Sequence, residues 1–149
     1  MLSSRKIVSM KLKRKNGVFV NTKGFQKPVT CSKLPKLYIV KHQAKIAYVG
    51  VTSQSITNRI RYGLIAKGKH GYHGYLWKDL KEELTILIWC FPGELPKSKL
   101  VESVEAEVVF TIRNHTGQWP NFQTEIHFHN TIEEEKKMAQ LIYDQAKNI

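Results

Sequence analysis

Tyr38 and Tyr48 stand ten residues apart, each inside a short apolar run, and Arg59 lies nine positions past Gly50. The runs are Leu37-Tyr38-Ile39-Val40, preceded by Lys36, and Ala47-Tyr48-Val49-Gly50. Set on two paired strands and the helix after them, two phenols and one guanidinium can converge on a single phosphate. The planar guanidinium fork matches a pair of phosphate oxygens. A phenol, with an ordinary pKa near 10, becomes a base for water only where neighbouring cations stabilise the phenolate. Phosphodiester hydrolysis also calls for a hard oxygen ligand to a divalent ion, which makes bound water nucleophilic and offsets charge. Residues 1–78 hold no Asp or Glu, so that ligand must come from further on, where Glu102, Glu105 and Glu107 cluster.

Hydrophobic patterning supplies elements to carry these groups. Leu37 to Lys41 and Ile46 to Val51 are rich in β-branched and aromatic residues and flank the polar turn His42-Gln43-Ala44-Lys45, which predicts a hairpin. Thr52 or Ser53 is expected to cap a helix in which Ile56, Ile60 and Leu64 form the buried stripe and Gly68 is the stop. Arg59 flanks that stripe, whereas Arg61 points about 200° round the helix and reads as a backbone-phosphate contact. Residues 70–78 form a glycine- and aromatic-rich turn that leads into a short helix through Leu80 and Leu84. Thr85 to Phe91 is a continuous apolar run, the pattern of a central strand buried on both faces. A helix from Ser98 to His115 follows, with Val101, Val104, Val108 and Ile112 as its apolar face and Gly117 as its end. Gln123 to His129 alternates as an edge strand or extended loop. Thr131 and Glu134 make a capping box for a last amphipathic helix through Ile142 and Ala146. Upstream, residues 5–22 read as a hairpin about Asn16-Gly17, joined to the core by an irregular basic stretch with Pro28 and Pro35.

The stretches Leu37-Tyr38-Ile39-Val40, Ala47-Tyr48-Val49-Gly50 and Asn58-Arg59-Ile60 resemble the signature of the GIY-YIG nucleases. That family includes intron homing endonucleases, the nuclease half of a bacterial excision-repair enzyme and some type II restriction enzymes. The resemblance, over roughly residues 34–130, implies an α+β fold: a small mixed or antiparallel sheet flanked by helices. It makes Tyr38 and Tyr48 the pair that positions or activates the attacking water, and Arg59 the phosphate clamp. It also points to Glu105 as ligand of one Mg²⁺ or Mn²⁺, because the family's metal-binding glutamate is followed at +3 and +4 by aliphatic residues, here Val108 and Val109. Glu107 and Glu102 rank behind it. The chain departs from the family at Lys36 (for glycine), Val49 (for isoleucine) and Gly63, where many relatives carry histidine or tyrosine one turn after the arginine. His70 and His73, in a loop able to close on the site, are candidates to supply the missing group, as is Tyr62. Gln123, after Pro120-Asn121-Phe122, stands where relatives often have asparagine, with Asn130 a distant substitute. His127 and His129 lack a third ligand at a recognisable spacing and read as structural or DNA-facing.

Charge is divided unevenly. All acids lie from Asp79 onward, while residues 1–78 carry 17 of the 24 Lys and Arg. A half-chain of unopposed positive charge is a footprint for a polyanion, most naturally DNA. Lys11, Lys13, Arg14 and Lys15 in the hairpin, with Arg61, Lys67 and Lys69, are the expected nucleic-acid contacts. Three segments follow: a basic arm at 1–33, a nuclease core at 34–130 and a C-terminal helix at 131–149 packed on the core. Cys31 and Cys90 form neither a disulfide framework nor a zinc spacing, and no run has the length of a membrane span or a secretory core. A cytoplasmic protein is the expectation. The function expected is a small, stand-alone DNA endonuclease, restriction- or phage-like, which needs a dimer or two successive events to cut both strands. A non-catalytic DNA- or RNA-binding module of the same fold is the alternative, and a basic structural RNA-binding protein is a third class.

Overall fold

The computed structural model describes residues 8–15, 18–19, 35–69, 74–78, 80, 82–91, 98–123 and 131–148. Among these residues five strands, β1 (Val8–Lys15), β2 (Val18–Phe19), β3 (Lys36–His42), β4 (Lys45–Thr52) and β5 (Leu84–Cys90), form one sheet in the order β2-β1-β5-β3-β4. Every pairing is antiparallel, so of the mixed and antiparallel alternatives the antiparallel one holds. Among the described residues three helices accompany it: α1 (Ile56–Ile65), α2 (Ser98–Thr116) and α3 (Glu133–Lys147). The chain is an α+β protein.

The apolar run read as a doubly buried strand is β5, which lies between β1 and β3. Side chains alternate across a strand, and each face of β5 meets a different cluster. Leu84, Ile86, Ile88 and Cys90 join Tyr38 and Val40 of β3 and Ile56 and Ile60 of α1. Leu87 and Trp89 join Leu37, Ile39 and Val49, the Val101-Val104-Val108-Ile112 stripe of α2, and Met138, Ala139 and Ile142 of α3. The sheet is thus a middle layer, with α1 on one face and α2 and α3 on the other. Trp89 Nε1 donates to Gln145 Oε1 of α3 at 2.7 Å. The ammonium of Lys41, itself buried, donates to the carbonyl of Ala146 at 2.7 Å, a cation placed at the negative end of α3.

The basic hairpin enters this same sheet. β1 pairs with β5 from Val8↔Cys90 to Arg14↔Leu84, and with β2 at Arg14↔Phe19 and Lys15↔Val18. In β3–β4 the register shifts between Val40 and Lys41, leaving Ala47 as an extra residue.

Three local expectations are corrected. No helix runs through Leu80 and Leu84: residues 76–78 are a turn, and Leu84 opens β5, paired with Arg14 and His42. Ladder pairing on both sides outweighs the weak helical spacing there. The N-cap of α1 is Ser55, not Thr52 or Ser53, because Thr52 still pairs with Lys36. Its Oγ1 instead accepts from the Gln54 amide at 3.1 Å. At α3 the box shifts by one residue: Glu135, not Glu134, accepts from the amide of the N-cap residue, Ile132, at 3.0 Å. Isoleucine has no acceptor to return, so only half of the box forms. Gly117 does end α2, with φ of 78° and its amide bonded to Arg113 O at 2.9 Å. The expected edge strand lies mostly outside the described residues. Among the described residues no helix is long and apolar enough to cross a membrane.

Candidate active site

Alternation along β3 puts Lys36, Tyr38 and Val40 on the α1 side of the sheet, and β4 brings Tyr48 and Gly50 to the same side. Tyr38 is paired with Gly50, and Val40 with Tyr48. The ring centroids of Tyr38 and Tyr48 are 5.9 Å apart. Gly50 makes this possible: a Cβ there would lie 2.5 Å from Tyr38 Cζ, 2.6 Å from its hydroxyl and 2.9 Å from Tyr48 Cε2. Its backbone is outside the left-handed region, so the glycine serves close approach and not a turn. The first turns of α1 carry Arg59, partly exposed, onto the same face.

A third phenol joins the pair. Tyr75, from the turn after α1, places its ring centroid 6.3 Å from that of Tyr38 and 5.6 Å from that of Tyr48, both edge-on. Its hydroxyl is hydrogen-bonded to that of Tyr38 at 2.8 Å. The guanidinium of Arg59 lies over the Tyr75 ring, 4.9 Å from the centroid. Behind it, buried Trp77 stacks on Tyr75 at 4.5 Å. Tyr38, Tyr48 and Arg59 are therefore brought together, with Tyr75 between the arginine and Tyr38.

The phenols differ in access. Tyr38 is 1% exposed, whereas Tyr48 is half-buried. Burial raises the Tyr38 pKa well above 10, reinforced by Tyr75 and Tyr48, and the opposing pull of Arg59 is smaller. Tyr38 is a neutral phenol at physiological pH, able to donate or accept a hydrogen bond. Lys36, at the first glycine position of the resemblance, is fully buried on this face and donates to the carbonyl of Gln54 at 2.7 Å, just before α1.

The carboxylates sit on α2, which covers the other face and packs against the edge strand β4. Glu105 is partly buried and lies among Val101, Val108 and Val109 on the side turned to the sheet, with Glu107 about 200° away. Glu102, exposed and one turn before Glu105, lines a pocket of about 130 Å³ with Pro35, Thr52 and Ser53 at the end of β4. A larger pocket, about 380 Å³, is lined by Ile46, Ile112, Trp119 and Tyr143 on the α2–α3 side. It contains no acid and none of the clustered tyrosines.

Arg61, Lys67 and Lys69 are exposed along α1 and just beyond it, beside exposed Tyr62. Lys11, Lys13, Arg14 and Lys15 lie along β1 next to β5. His70 and His73, with His127, His129 and Asn130, lie outside the described residues. Of the residues that shape the site, Tyr75 carried no motif signal, whereas Gln123 did. Tyr75 had one indirect clue, an interior helical glycine at Gly63, which costs about 1 kcal/mol relative to alanine and so marks a packing need. Gln123 occupies the asparagine position and grips β4: its Oε1 accepts from the Val49 amide and its Nε2 donates to the Val49 carbonyl, both at 3.0 Å. Comparison with family models, with curated proteins and with solved structures gave no match in any of the three.

Proposed function

We propose that this chain is a metal-dependent endonuclease that hydrolyses phosphodiester bonds in DNA. The observation that carries the reading is the meeting of Tyr38, Tyr48 and Arg59, from three successive elements, on one face of the sheet. The resemblance to the GIY-YIG signature rests on those same residues. Arg59 offers its fork to two phosphate oxygens, and Tyr48, the more accessible phenol, orients water or a phosphate oxygen by hydrogen bonding. Tyr38 stays protonated behind them and completes the hydroxyl array. The excess of cations in residues 1–78, with Arg61, Lys67 and Lys69 exposed on and just after α1, favours a polyanionic substrate.

The carboxylate this reading needs for a hard divalent ion such as Mg²⁺ or Mn²⁺ lies on α2, on the face of the sheet opposite the tyrosine cluster. A carboxylate on the sheet-facing side of α2 offers the oxygen ligand these ions prefer, and Mg²⁺ commonly takes only one or two protein carboxylates beside substrate phosphate. Glu105 would hold it, with Glu102 one turn away. Bound there, the ion would lower the pKa of a water and offset phosphate charge. The direct test incubates the protein with supercoiled plasmid at low salt, with Mg²⁺ or with EDTA, beside Glu105→Ala and Tyr48→Phe. Metal-dependent nicking or linearisation lost in Glu105→Ala supports the reading, and discrete fragments add sequence specificity. Cleavage of both strands further implies a homodimer or two successive encounters.

One observation favours a second reading, a DNA- or RNA-binding module that does not cut. The hydroxyl of Tyr38 is buried and already engaged by Tyr75. A mobility shift without cleavage under several divalent ions selects that module.

A further inference from the structure

We propose that Tyr75 is the positioning residue of this site, holding the Tyr38 hydroxyl and the Arg59 guanidinium in one fixed arrangement. The proposal rests on the hydrolytic reading above and assigns within it a residue that the motif does not contain.

The backbone around Tyr75 is built to admit it. A Cβ at Gly63 would overlap Cε2 and Cδ2 of the Tyr75 ring and approach Cζ to 2.7 Å. These are atoms of a rigid ring, backed by the stacked Trp77, and cannot swing aside as a flexible chain end would. Gly63 is thus the only residue type that lets the ring lie against α1. Gly74 sits at φ of 84°, and a Cβ there would overlap the carbonyl oxygen of Gly63. That carbonyl accepts from the Tyr75 amide at 3.0 Å, so backbone is fastened to backbone at the point of entry. Lys78 then donates to the carbonyl of Ala66 at 2.8 Å and ties the far end of the turn to the end of α1. Two glycines and two hydrogen bonds determine where the Tyr75 ring stands.

From that position Tyr75 touches both polar partners at once. Its hydroxyl shares a proton with Tyr38, which fixes the rotation of the Tyr38 hydroxyl. Its ring face carries the Arg59 guanidinium. A ring that only filled space would need neither contact, and phenylalanine would serve as well. The space it fills begins at Gly63, one turn after Arg59, so a side chain from the loop stands where one from the helix would otherwise project.

The test is Tyr75→Phe, which keeps the ring, the stack on Trp77 and the cation–π contact and removes one hydroxyl. The expected result is a fall in kcat on the order of 10- to 100-fold, the scale of a misplaced catalytic group, with KM and DNA affinity within about threefold. Gly63→Ala, with Tyr75 itself intact, is expected to lower kcat similarly by displacing the ring. A second readout needs no activity: tyrosine labelled with carbon-13 at Cζ, titrated by NMR, with Tyr38→Phe assigning its signal. In the wild type Tyr38 titrates well above its ordinary value, and in Tyr75→Phe its midpoint moves down, since the Tyr75 hydroxyl favours the protonated form. Wild-type kcat together with an unmoved Tyr38 titration in Tyr75→Phe would overturn the proposal. Should the wild type cut no nucleic acid under any divalent ion, the hydrolytic reading fails. The titration then still decides whether Tyr75 sets the Tyr38 hydroxyl.

Discussion

Replacing Gly50 by alanine adds one methyl group at the most crowded point of the sheet. The new carbon would lie 2.5 Å from Tyr38 Cζ, 2.6 Å from its hydroxyl oxygen and 2.9 Å from Tyr48 Cε2, where relaxed carbon contacts are about 3.5–4.0 Å. Relief therefore requires the Tyr38 ring to move by about 1 Å. The ring is fully enclosed, and movement on that scale stretches its 2.8 Å bond to Tyr75 beyond hydrogen-bonding range. Overpacking of a well-filled core costs about 1–3 kcal/mol. Loss of one buried hydrogen bond adds about 1 kcal/mol. The sum is about 2–4 kcal/mol, or roughly 5–15 °C in Tm for a domain of this size. Urea denaturation and thermal melting of Gly50→Ala measure the stability, and plasmid cleavage at a temperature where the variant is folded measures the chemistry. Activity is expected to fall at least as far as in Tyr75→Phe, since both tyrosines shift. Gly117→Ala is the control: its Cβ meets nothing within 4 Å, but its φ of 78° costs about 1–2 kcal/mol, with cleavage unchanged. A Gly50→Ala protein with wild-type Tm and wild-type rate would refute the steric account of the tyrosine pair.

Other outcomes follow from single contacts. Gln123→Ala strips both backbone groups of Val49 of their partner and is expected to cost about 1–3 kcal/mol by urea denaturation, with Gln123→Glu intermediate because it restores only the acceptor. Lys41→Ala removes a buried cation from the end of α3 and opens a void, lowering stability by about 2–4 kcal/mol, while Lys41→Met, which refills the space, loses less. Tyr38 makes stability fall at high pH. Its folded pKa is raised, so its contribution is complete below the unfolded value near 10 and is lost as pH climbs toward the folded value, at about 1.4 kcal/mol per unit. The urea midpoint of Tyr38→Phe should therefore decline less between pH 9 and 11 than that of the wild type. DNA affinity, measured by anisotropy, should weaken by about 0.9 log units per phosphate contact for each tenfold rise in salt, and Arg61→Ala should reduce that slope by about one contact.

Periodicity was enough to find the framework. The apolar runs at Leu37 and Ile46, the i, i+4, i+8 stripe from Ile56, the unbroken Thr85–Phe91 run and the valine face of α2 each correspond to an element within a residue or two. These patterns are local, and burial selects them directly. What failed was governed by distant partners. Leu84 reads equally well as the end of a short helix until Arg14 and His42 pair with it from either side. The burial of Lys36, at the first glycine position of the resemblance, depends on the Gln54 carbonyl 18 residues on, which no local pattern announces. Tyr75 lies 37 residues from the hydroxyl it meets, and no spacing rule connects them. The grouping of Tyr38, Tyr48 and Arg59 was legible because all three lie within one hairpin and its following helix.

The outer edge of β4 has a consequence for assembly. An unpaired edge strand is a template on which another chain can add a strand. Here Phe122 donates to the Ala47 carbonyl at 2.8 Å, and Gln123 satisfies both the donor and the acceptor of Val49. A glutamine side chain thus imitates a stretch of neighbouring backbone and closes the ladder where the tyrosine strand would otherwise be sticky. Two copies of this protein cannot join sheets across the Ala47–Val49 stretch without first displacing Phe122 and Gln123, so strand addition next to Tyr48 is held in check by two consecutive residues.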